Sequence, residues 1–138
     1  MVRGAATTAA VLLLGVAALQ AALAVGAPWG DMSYGGRVET VDGVLPGSYR
    51  VMSAAAVAIL SFAAWVVLAR GGVVAPGFLG AGFLRVAAWV VFGYLVINTG
   101  SNLASSHPVE RFGVGAVTLV SAVACFIVAR ASADLIGS

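Results

Sequence analysis

The sequence predicts an all-α membrane protein, a bundle of four transmembrane helices with a structured outer loop between the first two. Four long apolar stretches separate short segments that hold nearly all the charge. The composition, 62% hydrophobic and 9% charged with a mean hydropathy of +1.08, cannot cover a water-soluble surface. A helix crosses the hydrocarbon core with about 20 mostly apolar residues, because lipid offers the backbone no hydrogen-bond partners. We place the helices at residues 5–27, 50–70, 84–104 and 109–130, in a single transmembrane domain over residues 1–138.

Proline and glycine mark the ends of the first two helices. The uncharged run over residues 4–30 is long enough to span, and Pro28 ends it because proline lacks the amide that continues a helix. The run exceeds the roughly 7–15 residues of a signal-peptide core, so we expect it to be retained, with cleavage as the alternative. The second helix is predicted to begin near Tyr49 and to end at Arg70, before a pair of glycines that favours a C-terminal cap.

The last two helices follow similar signals. Residues 73–82 are apolar but rich in glycine and proline, which predicts an interfacial loop before the third helix. Ser106 is a candidate N-cap of the fourth helix, and Pro108 suits its first turn. Glu110 would then lie near a helix N-terminus, where the macrodipole favours a negative side chain.

The connection over residues 27–49 carries turn signals that predict an ordered outer loop. Asp42-Gly43 is a strong hairpin dipeptide, and residues 38–41 alternate apolar and polar side chains, so a short β-hairpin is expected. A two-stranded hairpin is marginal alone and would have to pack on the bundle or on headgroups. Trp29, Tyr34 and Tyr49 are candidate interfacial anchors.

The arginines predict the orientation. With the amino terminus inside, the cytoplasmic face carries the slightly larger share of arginine, as the positive-inside rule requires. We therefore expect a multi-pass protein of the cell's inner (plasma) membrane with both termini cytoplasmic. The inner set is Arg3, Arg70, Arg85 and Arg130, and the outer set is Arg37, Arg50 and Arg111.

Several classes of function are not expected. The chain has no basic run with interleaved aromatics, so nucleic acid is not an expected partner. Cys125 is the single cysteine, which excludes an intrachain disulfide, and His107 is the single histidine, so no metal site is expected. No phosphate-binding loop or nucleophile motif occurs. We expect neither enzymatic activity nor a cofactor.

Polar residues inside the predicted spans gather in the outer half of the bundle. Asn98 and Asn102 are four residues apart and share a helix face with Tyr94. Two interpretations stay open: a ligand pocket, or side chains that hydrogen-bond between helices and hold the bundle together. The six candidates are Gln20, Tyr94, Asn98, Asn102, Thr118 and Ser121.

A second set of residues lies around the mouth of this predicted pocket, where the outer loop could cap it. We expect Arg37 or Asp31 to approach residues 105–111, and Glu110 to form a surface pair with Arg111. The four apolar stretches, residues 4–30, 51–69, 86–106 and 112–129, contain no acid, which disfavours ion coupling through a buried carboxylate. The cap candidates are Asp31, Arg37, His107, Glu110 and Arg111.

A set of glycine, proline and polar motifs resembles the pattern of small, uncharacterised bacterial integral membrane proteins with four helices. The resemblance covers most of the chain and implies the architecture without supplying an activity. Its motifs are Gly26-Ala27-Pro28-Trp29-Gly30, Tyr34-Gly35-Gly36, Leu45-Pro46, Arg50, Asn98, Asn102-Leu103-Ala104-Ser105 and Glu110-Arg111.

Two classes of function follow from these features. In the first, the protein binds or moves a small amphipathic molecule or lipid through the polar outer half of the bundle. In the second, it is a non-catalytic accessory or scaffolding subunit whose outer loop engages another membrane protein. Small residues at four-residue spacing on the fourth helix, Ser121 and Cys125, also allow a homo-oligomer.

Overall fold

The computed structural model describes residues 1–131, which form four long helices. All four are long and apolar enough to cross a membrane by length and composition. The fourth begins with a π-helical segment, Val109–Val114, that continues into α4. The helices are α1 (Val2–Ala24), α2 (Gly47–Arg70), α3 (Ala81–Leu103) and α4 (Gly115–Arg130).

The helices run alternately up and down, and α1 packs between α2 and α4. Small side chains let the helices approach closely, since Ala6, Ala9 and Ala10 are all buried in the core. Residues 25–46 and 104–108 lie at one end, which we call the loop end. At the other end, an added Cβ on Gly71 would lie 2.4 Å from the Cβ of Ala6, so only glycine fits there.

α2 and α3 pack against each other at the end of the bundle away from the loop end. Val66 and Ala69 of α2 pack with Leu84 of α3 beside the short connection over residues 71–80. Toward the loop end the same two helices line a cavity. The bundle is therefore closed between α2 and α3 at one end and open between them at the other.

The first connection, residues 25–46, consists of short turns. Two 3-10 turns, Gly30–Met32 and Tyr34–Gly36, precede a two-residue turn at Asp42 and Gly43, whose φ angles of 51° and 82° fit a type I′ turn. Val41 and Val44 exchange both backbone hydrogen bonds around it, at 3.1 and 3.0 Å.

The expected hairpin is reduced to this single bridge. No strand extends from it within residues 1–131. The turn pairs instead with an earlier part of the same connection, since the Gly30 amide donates to the Gly43 carbonyl at 2.7 Å. The dipeptide predicted the turn, but the flanking residues make their contacts elsewhere.

Candidate ligand-binding cavity

A cavity of about 730 Å³ lies at the loop end between α2 and α3, with α1, α4 and the first connection completing its wall. Its volume falls in the range of about 300–1,000 Å³ typical of small-molecule sites. One part of its wall is apolar, formed by side chains of α1, α2 and α3. These are Leu13, Val16, Ala55, Ile59, Leu60 and Leu95.

The cavity opens sideways between α2 and α3. Met52 and Ile59 of α2 and Tyr94 of α3 line it and are 52%, 55% and 38% exposed. Side chains that border both the cavity and the outside mark an opening. A long apolar molecule could thus leave its polar part inside the cavity and its tail between the two helices.

Polar side chains also line the cavity. All six residues that sequence analysis selected as ligand candidates line the cavity: Gln20 from α1, Tyr94, Asn98 and Asn102 from α3, and Thr118 and Ser121 from α4. Six further residues with polar side chains join them: Ser33, Tyr34, Arg37, Tyr49, Ser101 and Glu110. The wall therefore combines amides, hydroxyls, one guanidinium and one carboxylate.

The hydrogen bonds on this wall separate residues that hold the helices together from residues that are available. The buried Asn102 donates from Nδ2 to Thr118 Oγ1 at 3.3 Å, linking α3 to α4. Ser121 donates to the Val117 carbonyl of its own helix at 2.8 Å. The Gln20 Oε1 atom is buried and has no hydrogen-bond partner.

Asn98 differs from its neighbour one turn later. It is only partly buried and makes no hydrogen bond in the described part of the chain, so the interhelical role expected for both amides belongs to Asn102. The spacing placed both residues on one face correctly, but only the position of Thr118 on α4 decides which amide finds a partner.

We predict that Asn102→Leu destabilises the protein more than Asn98→Leu. The first change removes the hydrogen bond to Thr118 and forces a larger apolar side chain into a buried site, at a cost of about 1 kcal/mol or more. The second removes no hydrogen bond. Thermal unfolding of both variants in detergent measures the difference, and equal stabilities would contradict the assignment of Asn102 as the linking amide.

The first connection is docked on the connection between α3 and α4 through the peptide groups of Gly35. The Gly35 amide donates to both carboxylate oxygens of Glu110, at 3.3 and 3.0 Å. The Gly35 carbonyl accepts from the Ser106 amide at 3.0 Å and from the Ser106 hydroxyl at 2.9 Å. Gly36 packs so closely that an added Cβ would lie 2.7 Å from Ser106 Oγ and 3.0 Å from the His107 amide.

Contacts of Tyr34 with α2 hold the same connection in place, and a further hydrogen bond joins α2 to the end of α1. The Tyr34 hydroxyl and Ser53 Oγ lie 2.8 Å apart, and the Tyr34 ring meets the edge of Tyr49. The Arg50 Nε atom donates to the Ala24 carbonyl at the end of α1, at 3.0 Å. The connection thus forms a fixed roof over one end of the cavity.

Glu110 is where the structure departs most from expectation. It is 8% exposed and lines the cavity from the first turn of the fourth candidate span, just before the apolar stretch of residues 112–129, which contains no acid. Its carboxylate also accepts the Ser105 hydroxyl at 2.9 Å, and no surface pair with Arg111 forms. Arg111 lies instead over the Phe112 ring, at 5.4 Å. No sequence signal links Glu110 to a glycine 75 residues earlier.

Of the cap candidates Arg37, Asp31 and His107, only Arg37 lines the cavity. Arg37 lines the cavity and donates from Nη2 to the Ala104 carbonyl at 3.5 Å, immediately before residues 105–111. Asp31 accepts from Thr40 Oγ1 at 2.7 Å within the first connection. His107 uses Nδ1 to accept the Val109 amide at 3.2 Å. Neither Asp31 nor His107 lines the cavity.

Residues 1–131 contain no group of three or more histidine, cysteine, aspartate or glutamate side chains that could hold a metal ion. No protein-family profile, curated protein or solved structure matches the chain significantly. The fold and the cavity define an all-helical protein with four helices long and apolar enough to span a membrane, and the function has to be argued from its own residues.

Proposed function

We propose that this chain is a multi-pass protein of a bacterial plasma membrane that binds or moves a small amphipathic molecule or lipid. The observation that carries the proposal is the cavity of about 730 Å³, which is lined by both apolar and polar side chains and is bordered by exposed residues of α2 and α3. In a membrane such an opening faces the acyl chains, so an amphiphile can enter from the bilayer with its polar group reaching the wall. The proposal requires no chemical conversion of the ligand.

Filling the cavity tests this function. Ala55 of α2 lines the cavity and is exposed, so Ala55→Phe is expected to occupy the entrance and to reduce the amount of amphiphile that remains bound through purification at least several-fold. Ala54 is also exposed but does not line the cavity, which makes Ala54→Phe the matched control. Mass spectrometry of the purified proteins measures the bound molecules, and equal retention in both variants would refute the proposal.

We propose an orientation with both termini in the cytoplasm and the first connection outside. The opposite end of the bundle carries Arg3, Arg70 and Arg85 without an acid among the described residues, whereas Asp31, Glu39, Asp42 and Glu110 all lie at the loop end. With Arg130 the opposite end carries four arginines against Arg37, Arg50 and Arg111 at the loop end, and this small excess agrees with the positive-inside rule.

Cysteine labelling tests the orientation. Glu39 is exposed in the first connection, and Gly80 is exposed in the second with open space around its Cβ position. In a Cys125→Ala background, we expect a membrane-impermeant maleimide to label Glu39→Cys in intact cells and Gly80→Cys only after lysis. The reverse pattern would invert the orientation.

An accessory or scaffolding role is the second candidate. It is favoured by apolar side chains that the first connection exposes, with Trp29 48% and Val41 78% exposed. These could contact another membrane protein or lie among the headgroups. A stoichiometric protein partner that co-purifies with wild type and is lost in Val41→Glu would favour this role over ligand binding.

A further inference from the structure

The two charged side chains that line the cavity differ in burial, since Glu110 is buried and Arg37 is exposed. Glu110 is buried on the wall, and within residues 1–131 it forms no ion pair with any cationic group. Its contacts are hydrogen bonds from the Gly35 amide and the Ser105 hydroxyl. An ionised carboxylate offers about four acceptor sites, so some remain for another donor. We propose that the cavity selects amphiphiles whose polar group is an ammonium, received by Glu110 and Gln20; this rests on the proposed function.

Gln20 supports the same ligand chemistry independently. Gln20 lines the cavity, and its Oε1 atom is buried beneath the cavity surface without a donor, so a ligand reaches it once the amide turns toward the cavity. A buried acceptor without a partner favours a ligand that donates hydrogen bonds. An ammonium group has three N–H donors and a positive charge, so it can satisfy an amide oxygen and a carboxylate together. A carboxylate or phosphate head group supplies neither a donor nor the charge that Glu110 attracts.

Arg37 also lines the cavity, and its positive charge opposes the binding of an ammonium group. It is exposed, and its Nη2 atom donates to the Ala104 carbonyl at 3.5 Å. Water and salt screen an exposed charge strongly, whereas low-dielectric surroundings preserve the field of a buried one. The buried carboxylate therefore dominates the choice of ligand, and Arg37 weakens the binding of a cation.

The experiment compares three amphiphiles with the same chain and different heads: dodecylammonium, dodecanol and dodecanoate. Wild-type protein in phosphatidylglycerol nanodiscs is equilibrated with each, and native mass spectrometry counts the molecules bound to the released protein. We expect dodecylammonium to bind most tightly. Glu110→Gln should weaken its binding about tenfold or more while leaving dodecanol unchanged, because only the charge-assisted part of the contact is lost.

Three further variants make the test specific. Gln20→Leu should weaken both dodecylammonium and dodecanol, since each uses the amide oxygen. Arg37→Gln should tighten the binding of dodecylammonium by removing a like charge. Arg111→Gln is the matched control for a lost arginine and should change nothing, because Arg111 is exposed over Phe112 and does not line the cavity. Thermal unfolding of each variant verifies that it is folded, and the Arg37 and Gln20 variants keep the test decisive if Glu110→Gln is unstable.

The outcomes separate this inference from the function beneath it. Preferential binding of dodecanoate, lost in Arg37→Gln and strengthened in Glu110→Gln, would overturn the charge assignment and leave the amphiphile-binding function intact. Equal binding of all three amphiphiles would also overturn the charge assignment and leave the amphiphile-binding function intact. Absence of any bound amphiphile in wild type would refute both. Phosphatidylethanolamine shares the ammonium chemistry, and its mass in nanodiscs that contain it would identify a lipid as the source of that group.

Discussion

Gly36→Ala is expected to undock the first connection from the rest of the bundle. The added Cβ would lie 2.7 Å from Ser106 Oγ and 3.0 Å from the His107 backbone amide. The Ser106 side chain could move away only by giving up its hydrogen bond to the Gly35 carbonyl, and the backbone of His107 cannot move independently of its connection. Overpacking of this kind typically costs about 1–3 kcal/mol.

Gly35→Ala is the matched control for this change. Gly35 and Gly36 both have positive φ angles, 81° and 70°, so alanine strains the backbone at either position. Nothing lies within 4 Å of a Cβ built at Gly35. We expect Gly36→Ala to unfold at a lower temperature and to be cleaved faster by protease within residues 25–46. Equal stability and equal protease resistance of the two variants would show that the connection is not held by this contact.

Glu110→Leu is expected to produce the largest loss of stability among single changes at the loop end. It leaves the buried Ser105 hydroxyl and the Gly35 amide without their acceptor, at a cost of about 1–3 kcal/mol for each donor that finds no other partner. Glu110 lines a cavity large enough for water, so we expect removal of the charge to relieve little desolvation cost.

A graded series separates the hydrogen bonds of Glu110 from its charge. Glu110→Gln keeps one acceptor for Gly35 and should be intermediate in stability between wild type and Glu110→Leu. Glu39 is exposed and makes no hydrogen bond in the described structure, so Glu39→Leu should stay within about 0.5 kcal/mol of wild type. Chemical unfolding in detergent gives the order. A Glu110→Leu protein as stable as Glu39→Leu would mean that the bonds to Gly35 and Ser105 do not fix the roof.

In the first connection, the turn dipeptide predicted the structure correctly, whereas the alternating residues beside it did not form the expected strands. Asp42-Gly43 forms the turn that its composition predicts, because both positions need positive φ and the dipeptide tolerates it. The alternation over residues 38–41 did not produce strands, because the turn pairs with Gly30 instead of extending the hairpin. The Asp42-Gly43 dipeptide specified the turn. The hydrogen bond from Gly30, 13 residues earlier in the sequence, determined that the turn does not extend into a hairpin.

The sequence by itself determined four apolar helices, because length and hydropathy are properties of each segment and need no partner. It also placed six polar residues on what proved to be one cavity wall, because helical periodicity and depth along each span are readable from spacing. Only the tertiary structure decided that Glu110 is buried against Gly35, that Asn102 rather than Asn98 meets Thr118, and that α2 and α3 part at the loop end. Each of these depends on which side chains distant segments bring together, and a single sequence does not encode those distances locally.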